Sequence, residues 1–344
     1  MTERNHEIRL AARPHGWPDQ SNFEYAEVPV PEPADGEVLV RNIYMSVDPY
    51  MRGRMNDVKS YVPPFQVGKP LEGHAIGQVV RTRTSELAEG DLVSSMYGWR
   101  EYFTAPPSPP GGMPLIKVDP DLAPLPAYLG VLGMPGLTAY AGLLEIGEPS
   151  TGETVLVSAA SGAVGSVVGQ IARIKGCRAV GMAGSDGKVR HLLDELCFDD
   201  AFNYKTSDLN GAIARACPDG VDVYFENVGG KILEAALTHM RPFGRIPVCG
   251  MISLYNLEKL EPGPASIIQI IPNRLRMQGF IVSDHFDLMP RFQQDMAEWI
   301  RDGHVKHRET IEEGLQNAPQ AFLDMMQGKN LGKMVVRVSD DPTA

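Results

Sequence analysis

Thr154-Val155-Leu156-Val157-Ser158-Ala159-Ala160-Ser161-Gly162-Ala163-Val164-Gly165 decides how this chain folds. An apolar, β-branched run breaks into small residues and then opens a helical pattern from Ser166 to Lys175. That is the strand–turn–helix in which a dinucleotide pyrophosphate rests on a helix N-terminus. Small side chains let the backbone approach the phosphates, and first-turn N–H groups without an intrahelical partner meet their charge. Gly162, Ala163, Val164 and Gly165 would line that site. The pattern reads A-x-G-x-x-G, because Ala160 stands where the dinucleotide fingerprint has its first glycine.

The context outward from the turn supports a doubly wound α/β unit. A strand at 178–182 follows the first helix, then a helix at 187–196, a strand at 200–203, a helix at 207–216, a strand at 221–225, a helix at 230–239 and a strand at 244–249. Such alternation predicts a parallel sheet with helices on both faces. Gly279-Phe280-Ile281-Val282 reads as a further strand and Met289 to Asp302 as an amphipathic helix. Before this region, Pro135 to Leu143 reads as a helix. Residues 1 to about 127 read as β-rich, with strand candidates at 37–41, 76–80 and 91–93 between closely spaced glycines and prolines. The tail returns to strand character at Lys333 to Val338, after a helix at 317–327.

Composition narrows the class. At 344 residues two domains are expected, and 43% hydrophobic with 22% charged residues is ordinary globular composition. A net charge of −11 argues against nucleic acid or an anionic membrane as partner. No apolar run approaches the roughly 18 residues of a membrane span, and the charged start, Met1 to Leu10, lacks a signal-peptide core. Cys177, Cys197, Cys217 and Cys249 form no C-x-x-C pair, so neither a disulfide framework nor structural zinc is signalled, and a reduced, cytoplasmic protein is expected.

Five segments together carry a family resemblance: Ser46-Val47-Asp48-Pro49-Tyr50-Met51-Arg52-Gly53-Arg54-Met55, Gly136-Leu137-Thr138-Ala139-Tyr140, Ala160 to Gln170, Glu226-Asn227-Val228-Gly229-Gly230, and Asn330-Leu331-Gly332-Lys333. The chain resembles the zinc-independent medium-chain dehydrogenases/reductases, specifically the NADPH-dependent alkenal/enone reductases. The resemblance implies a GroES-like β-barrel catalytic domain (1–127 and 306–344) and an inserted Rossmann domain (128–305), with the active site in a cleft and a homodimer as the assembly. Gly73-His74-Ala75 echoes a segment that carries a zinc ligand in metal-dependent relatives. Here alanine replaces the acidic residue and no cysteine lies near Asp48, so the roughly three protein ligands a catalytic zinc needs do not assemble, and His74 is read as a packing residue.

NADPH is the expected coenzyme. The second strand ends in Ala183-Gly184-Ser185 rather than an acidic residue, with Lys188 close by to meet a 2′-phosphate and Asp186 free to cap the next helix. By resemblance Lys188 and Tyr204 grip that phosphate. Asn227, Cys249, Gly250, Met251, Ile252, Ser253, Tyr255, Phe280, Ile281, Val282 and Asn330 line the rest of the coenzyme.

The implied reaction is hydride addition to the β-carbon of an α,β-unsaturated aldehyde or ketone, for which a donor to the carbonyl oxygen matters most. Relatives place a tyrosine seven residues before the strand glycine; counting back from Gly279 gives Pro272, which has no proton to give. Tyr50 is the replacement candidate, with Tyr255 second and water as a terminal proton source. Pro63, Pro64, Phe65, Met51, Met55, Met134, Ile252 and Ile271 are candidates for an apolar substrate cleft, each also readable as core. A quinone reductase and a non-catalytic NADPH-binding sensor are the competing readings.

Overall fold

The computed structural model describes residues 4–259 and 261–344. Residues 1–3, part of the charged start noted above, lie outside them. Two compact units form, one from the chain up to Leu129 plus Glu309–Ala344, the other from Gly130–Arg308. The breaks thus fall after Leu129 and Arg308, where the sequence put them after 127 and 305. Leu125–Leu129 is a single 3-10 turn and Glu309 opens a strand, so each element stays whole.

The first unit begins with a hairpin, β1 (Arg4–Leu10) against β2 (Phe23–Pro29). It continues with β3 (Val38–Ser46), a short helix α1 (Tyr50–Arg54), β4 (Ala75–Thr82), β5 (Leu92–Ser95), β6 (Tyr102–Ala105) and β7 (Ile116–Lys117). The chain then enters the second unit through α2 (Met134–Ala141) and alternates β8 (Thr154–Val157), α3 (Gly165–Ile174), β9 (Arg178–Ala183), α4 (Asp186–Arg190), β10 (Asp200–Asn203), α5 (Leu209–Ala216), β11 (Val221–Phe225), α6 (Gly230–Thr238) and β12 (Met240–Val248). After α7 (Ile270–Asn273), β13 (Arg276–Gly279) and α8 (Met289–Arg301), the tail returns to the first unit as β14 (Glu309–Glu313), α9 (Ala318–Met326) and β15 (Lys333–Arg337).

In the first unit the sheet order is β14-β15-β3-β4-β5-β7, with β6 paired to β3. β3 is almost wholly buried, and its Val38 and Val40 pack with Val79, Val93 and Phe103. The second unit has the order β10-β9-β8-β11-β12-β13, all parallel. Its direction of winding reverses between β8 and β11, the switch point outside which ligands bind in such sheets. Every residue of β8 and β11 is buried, as expected of central parallel strands covered on both faces. Leu156, Val180, Tyr224, Ile232, Leu237 and Ile246 share one core.

Three sequence readings need correction. The strand expected at 279–282 is β13, ending at Gly279; Val282 already opens a 3-10 turn. Phe280 leaves the sheet to pack edge-on to Phe225, 6.3 Å between ring centroids, in space that a side chain at Gly142 would fill. β12 starts at Met240 rather than 244, because a bulge with Phe243 at φ +65° lets two residues pair ahead of the main register. Ser185, not Asp186, caps α4, accepting the Lys188 N–H at 3.3 Å, while Asp186 takes the Asn203 side-chain amide.

Close approach of α3 to its neighbours rests on glycine. A Cβ on Gly169 would lie 1.9 Å from the Phe198 ring, so even a methyl overpacks this contact. Gly169→Ala is expected to lower unfolding free energy by about 1–3 kcal/mol, measured by urea denaturation; unchanged stability would mean the ring is free to withdraw.

Candidate active site

The turn after β8 is shaped by two residues. Ala159 takes φ +48°, the left-handed conformation, while Ala160, fully buried, does not. The first position of the motif therefore needs a small side chain rather than a glycine backbone, which is why alanine serves there. Space is tight around it: a Cβ on Gly181 would sit 3.0 Å from Ala160 Cβ. Gly165 has the stricter demand, since a Cβ there would lie 2.5 Å from Ala159 O and 2.8 Å from Ala160 Cα. Gly162 closes the turn through its N–H to Ala159 O at 3.0 Å. Gly162, Ala163 and Val164 remain partly exposed at the start of α3.

At the end of β9, Gly184 is overlaid by Tyr204 Oη and by Lys205, 3.1 and 3.3 Å from where its Cβ would be. Ser185 and Lys188 begin α4 alongside. Burial, then the Lys205 ammonium, hold Lys188 below its ordinary pKa. Two lysines beside a hydroxyl and a phenol, at a strand end whose last residues Ala183 and Gly184 are not acidic, make a site suited to an anion. These residues fit the 2′-phosphate of NADPH. Lys205 was missed in the sequence, where one lysine in a polar loop carries no period or motif.

Asn227 follows β11, and its side-chain amide donates to Ser158 O at 2.8 Å. The loop after β12 is stitched to the same turn: Ile252 N–H reaches Asn227 O at 3.2 Å, and Ser253 donates to Val228 O from both N–H and hydroxyl, at 3.0 and 2.6 Å. Tyr255 Oη accepts the Met251 N–H at 3.3 Å and overlies Gly250, so Tyr255 braces this loop. Burial and the Glu226 carboxyl push the Cys249 thiol up to about 12, leaving it protonated. Phe280, Ile281 and Val282 form the turn beyond β13.

The remaining expected residues lie in the first unit. Asn330 is half-buried and donates to Gly332 O at 2.8 Å. Tyr50 opens α1, and its buried hydroxyl has no hydrogen-bond partner among the described residues. Burial, then the Asp48 carboxylate, push that hydroxyl well above the usual phenol range, so it stays protonated. The segment before Tyr50 is pinned by Lys333 of β15, whose buried ammonium donates to Val47 O at 2.8 Å and Met334 O at 2.7 Å and pairs with Asp48 at 3.2 Å. His74 Nε2 bonds Ser94 Oγ at 2.5 Å, and burial pulls its pKa down to about 4. Among the described residues no group of three His, Cys, Asp or Glu is placed to hold a metal.

Several apolar cleft candidates are core. Met51, Met55 and Phe65 are buried, and the Arg54 guanidinium covers the Phe65 ring at 4.1 Å. Ile271 is 71% exposed on α7, and Pro272 beside it is exposed as well.

The chain is similar to known oxidoreductases along nearly its whole length. Residues 6–110 match the family described as the N-terminal domain of oxidoreductase, and residues 163–302 that described as zinc-binding dehydrogenase. The chain is 44% identical to the NADPH-dependent curcumin reductase of Escherichia coli, over 98% of both chains. It is 45% identical to the NADP-dependent 2-alkenal reductase of Nicotiana tabacum, over 97% of this chain and 98% of that one. The crystal structure of CurA from Vibrio vulnificus in complex with NADPH superposes with a TM-score of 0.92 at 42% identity, over 98% of this chain and 100% of the other.

Lys188→Ala and Lys205→Ala are each expected to raise KM for NADPH about tenfold and leave NADH unaffected, as loss of a charge-assisted contact predicts; equal effects on both coenzymes in steady-state kinetics would remove these lysines from the 2′-phosphate site. Between the ordinary His value near 6.5 and about 4, the unfolded chain binds more protons at His74 than the folded one, so stability falls as pH drops through that window. His74→Gln should abolish this part of the acid slope, worth at most roughly 3 kcal/mol, in denaturation curves across that range; an unaltered slope would show that His74 protonates freely in the fold.

Proposed function

The chain belongs to the medium-chain dehydrogenase/reductase family, among its NADP-dependent reductases, and we propose that it works without zinc and reduces the carbon–carbon double bond of α,β-unsaturated aldehydes and ketones. The named activities of its relatives support this substrate class. The structural observation that carries it is the Tyr50 hydroxyl, buried, protonated and unpartnered among the described residues.

NADPH, when bound, supplies the hydride. The chain's task is to meet the negative charge that then collects on the carbonyl oxygen. Loss of one such donor typically costs about 2.7–4 kcal/mol of transition-state stabilisation. Tyr50 Oη has a proton to offer and no competing acceptor among the described residues, and the Lys333–Asp48 pair fixes the backbone that presents it. Tyr50 thus takes the role for which Pro272 has no proton, with water completing protonation at the α-carbon. Lys188, Lys205, Ser185 and Tyr204 would hold the 2′-phosphate, the turn Gly162–Gly165 the pyrophosphate, and Asn227, the loop 249–255 and Phe280–Val282 the remainder within this unit.

Two further readings go with this function. All four cysteines are free, which suits a reducing cytoplasm. Among the described residues no helix is long and apolar enough to cross a membrane. A homodimer formed through β13 is supported by its position at the sheet edge and by Ile267, Ile268 and Ile271, exposed beside it.

NADPH oxidation is expected with 2-alkenals and enones, unchanged by a chelator; oxidation by quinones alone would give the substrate class to the competing reading, and loss on chelation would contradict a metal-free reaction. Tyr50→Phe should lower kcat about tenfold or more with NADPH affinity little changed, and unaltered turnover across several enones would remove Tyr50 from the chemistry.

A further inference from the structure

Glu226 sits at the end of β11, beside the switch point, and is fully buried. Its Oε1 accepts three donors: the Ser158 hydroxyl at 3.1 Å, Val228 N–H at 2.5 Å and Gly229 N–H at 2.9 Å. Its main-chain oxygen accepts two more, Cys249 N–H at 2.9 Å and Gly250 N–H at 3.2 Å. Oε2 lies beside the buried Tyr224 hydroxyl, short of hydrogen-bond geometry. Ser158 relays the arrangement, since its hydroxyl oxygen takes the Asn227 N–H at 2.9 Å and its carbonyl takes the Asn227 side-chain amide at 2.8 Å. The side chain thus ties the end of β8 to the turn into α6, and that turn holds the loop after β12 through Asn227 O and Val228 O.

Keeping an acid here is expensive. A buried polar group without a full set of partners is destabilising, and a buried carboxylate more so. Burial pushes the Glu226 carboxyl above its ordinary value, against the pull of the Val228 and Gly229 N–H groups. The two adjacent N–H groups of Val228 and Gly229 have Oε1 as their acceptor, while the Ser158 hydroxyl is shared between Oε1 at 3.1 Å and Phe225 O at 3.3 Å. Without Oε1 the two N–H groups would turn outward, toward solvent or ligand, and the turn that carries Asn227 would turn with them.

We propose that Glu226 is a positioning residue for the dinucleotide, its side chain holding Asn227 and the turn 227–229, and through that turn the loop at Ile252–Ser253, in their binding arrangement before the coenzyme arrives. Preformed geometry lowers the ordering cost of binding. What the network needs is the acceptor Oε1, which glutamine also supplies, so the two substitutions Glu226→Ala and Glu226→Gln separate positioning from bulk.

The test is binding of NADPH and of NADH to the intact protein, followed by coenzyme fluorescence without any acceptor substrate, so that its outcome is independent of the double-bond reading. Glu226→Ala is expected to weaken both coenzymes about tenfold, equivalent to about 1.4 kcal/mol. Glu226→Gln is expected to bind both within about threefold of the unaltered protein. Unchanged affinity in Glu226→Ala would overturn the proposal, as would a Glu226→Gln variant as weak as the alanine one. If Glu226→Ala does not fold, Ser158→Ala breaks the relay alone. It should weaken both coenzymes by about threefold or more, and wild-type affinity there would overturn the proposal.

Discussion

The contact between Gly165 and the backbone of Ala159–Ala160 is the constraint on which the nucleotide-binding unit depends. Any side chain at Gly165 would run into Ala159 O, so only glycine lets α3 begin where it does, against the end of β8. Ala159 accepts a left-handed backbone to make that approach, a conformation that typically costs an L-residue about 1–3 kcal/mol. The tight turn aims the positive end of α3 at the crevice, and the remaining groups of that unit then take their places around a ligand with several negative charges.

Charge is distributed accordingly. The protein is acidic as a whole, at −11, yet Lys188 and Lys205 meet at the end of β9 where an acidic residue would favour the unphosphorylated coenzyme. In the other unit the one ammonium of Lys333 is matched by Asp48 and two carbonyls, and it orders the segment leading into Tyr50. At β15 the partner of the cation is the protein itself, and at β9 the proposed partner is the 2′-phosphate of the coenzyme.

Much of this was legible in the residues, and the exceptions have physical causes. The alternation from β8 to β12 was readable because short, buried parallel strands are continuous apolar runs between amphipathic helices. Phe280-Ile281-Val282 has the same β-branched and aromatic character but folds otherwise, because the space beside Gly142 draws Phe280 out of the sheet. The early start of β12 was hidden by Arg241-Pro242-Phe243-Gly244, which reads as a turn and forms a bulge. Met51, Met55 and Phe65 show the reverse limit: apolarity alone does not distinguish a pocket wall from core. Lys205 and Glu226 could not be singled out, since the role of each depends on a neighbour far away in the chain.

The central claim is that hydride passes from NADPH directly to carbon, without a metal, in a conjugated carbonyl compound. Its most direct measurement is turnover of a simple enone with NADPH dideuterated at the nicotinamide C4, followed by mass and NMR analysis of the product. The account predicts one deuterium on the carbon β to the carbonyl, with a solvent proton at the α-carbon. Deuterium at the carbonyl carbon, or none in the product, would contradict it.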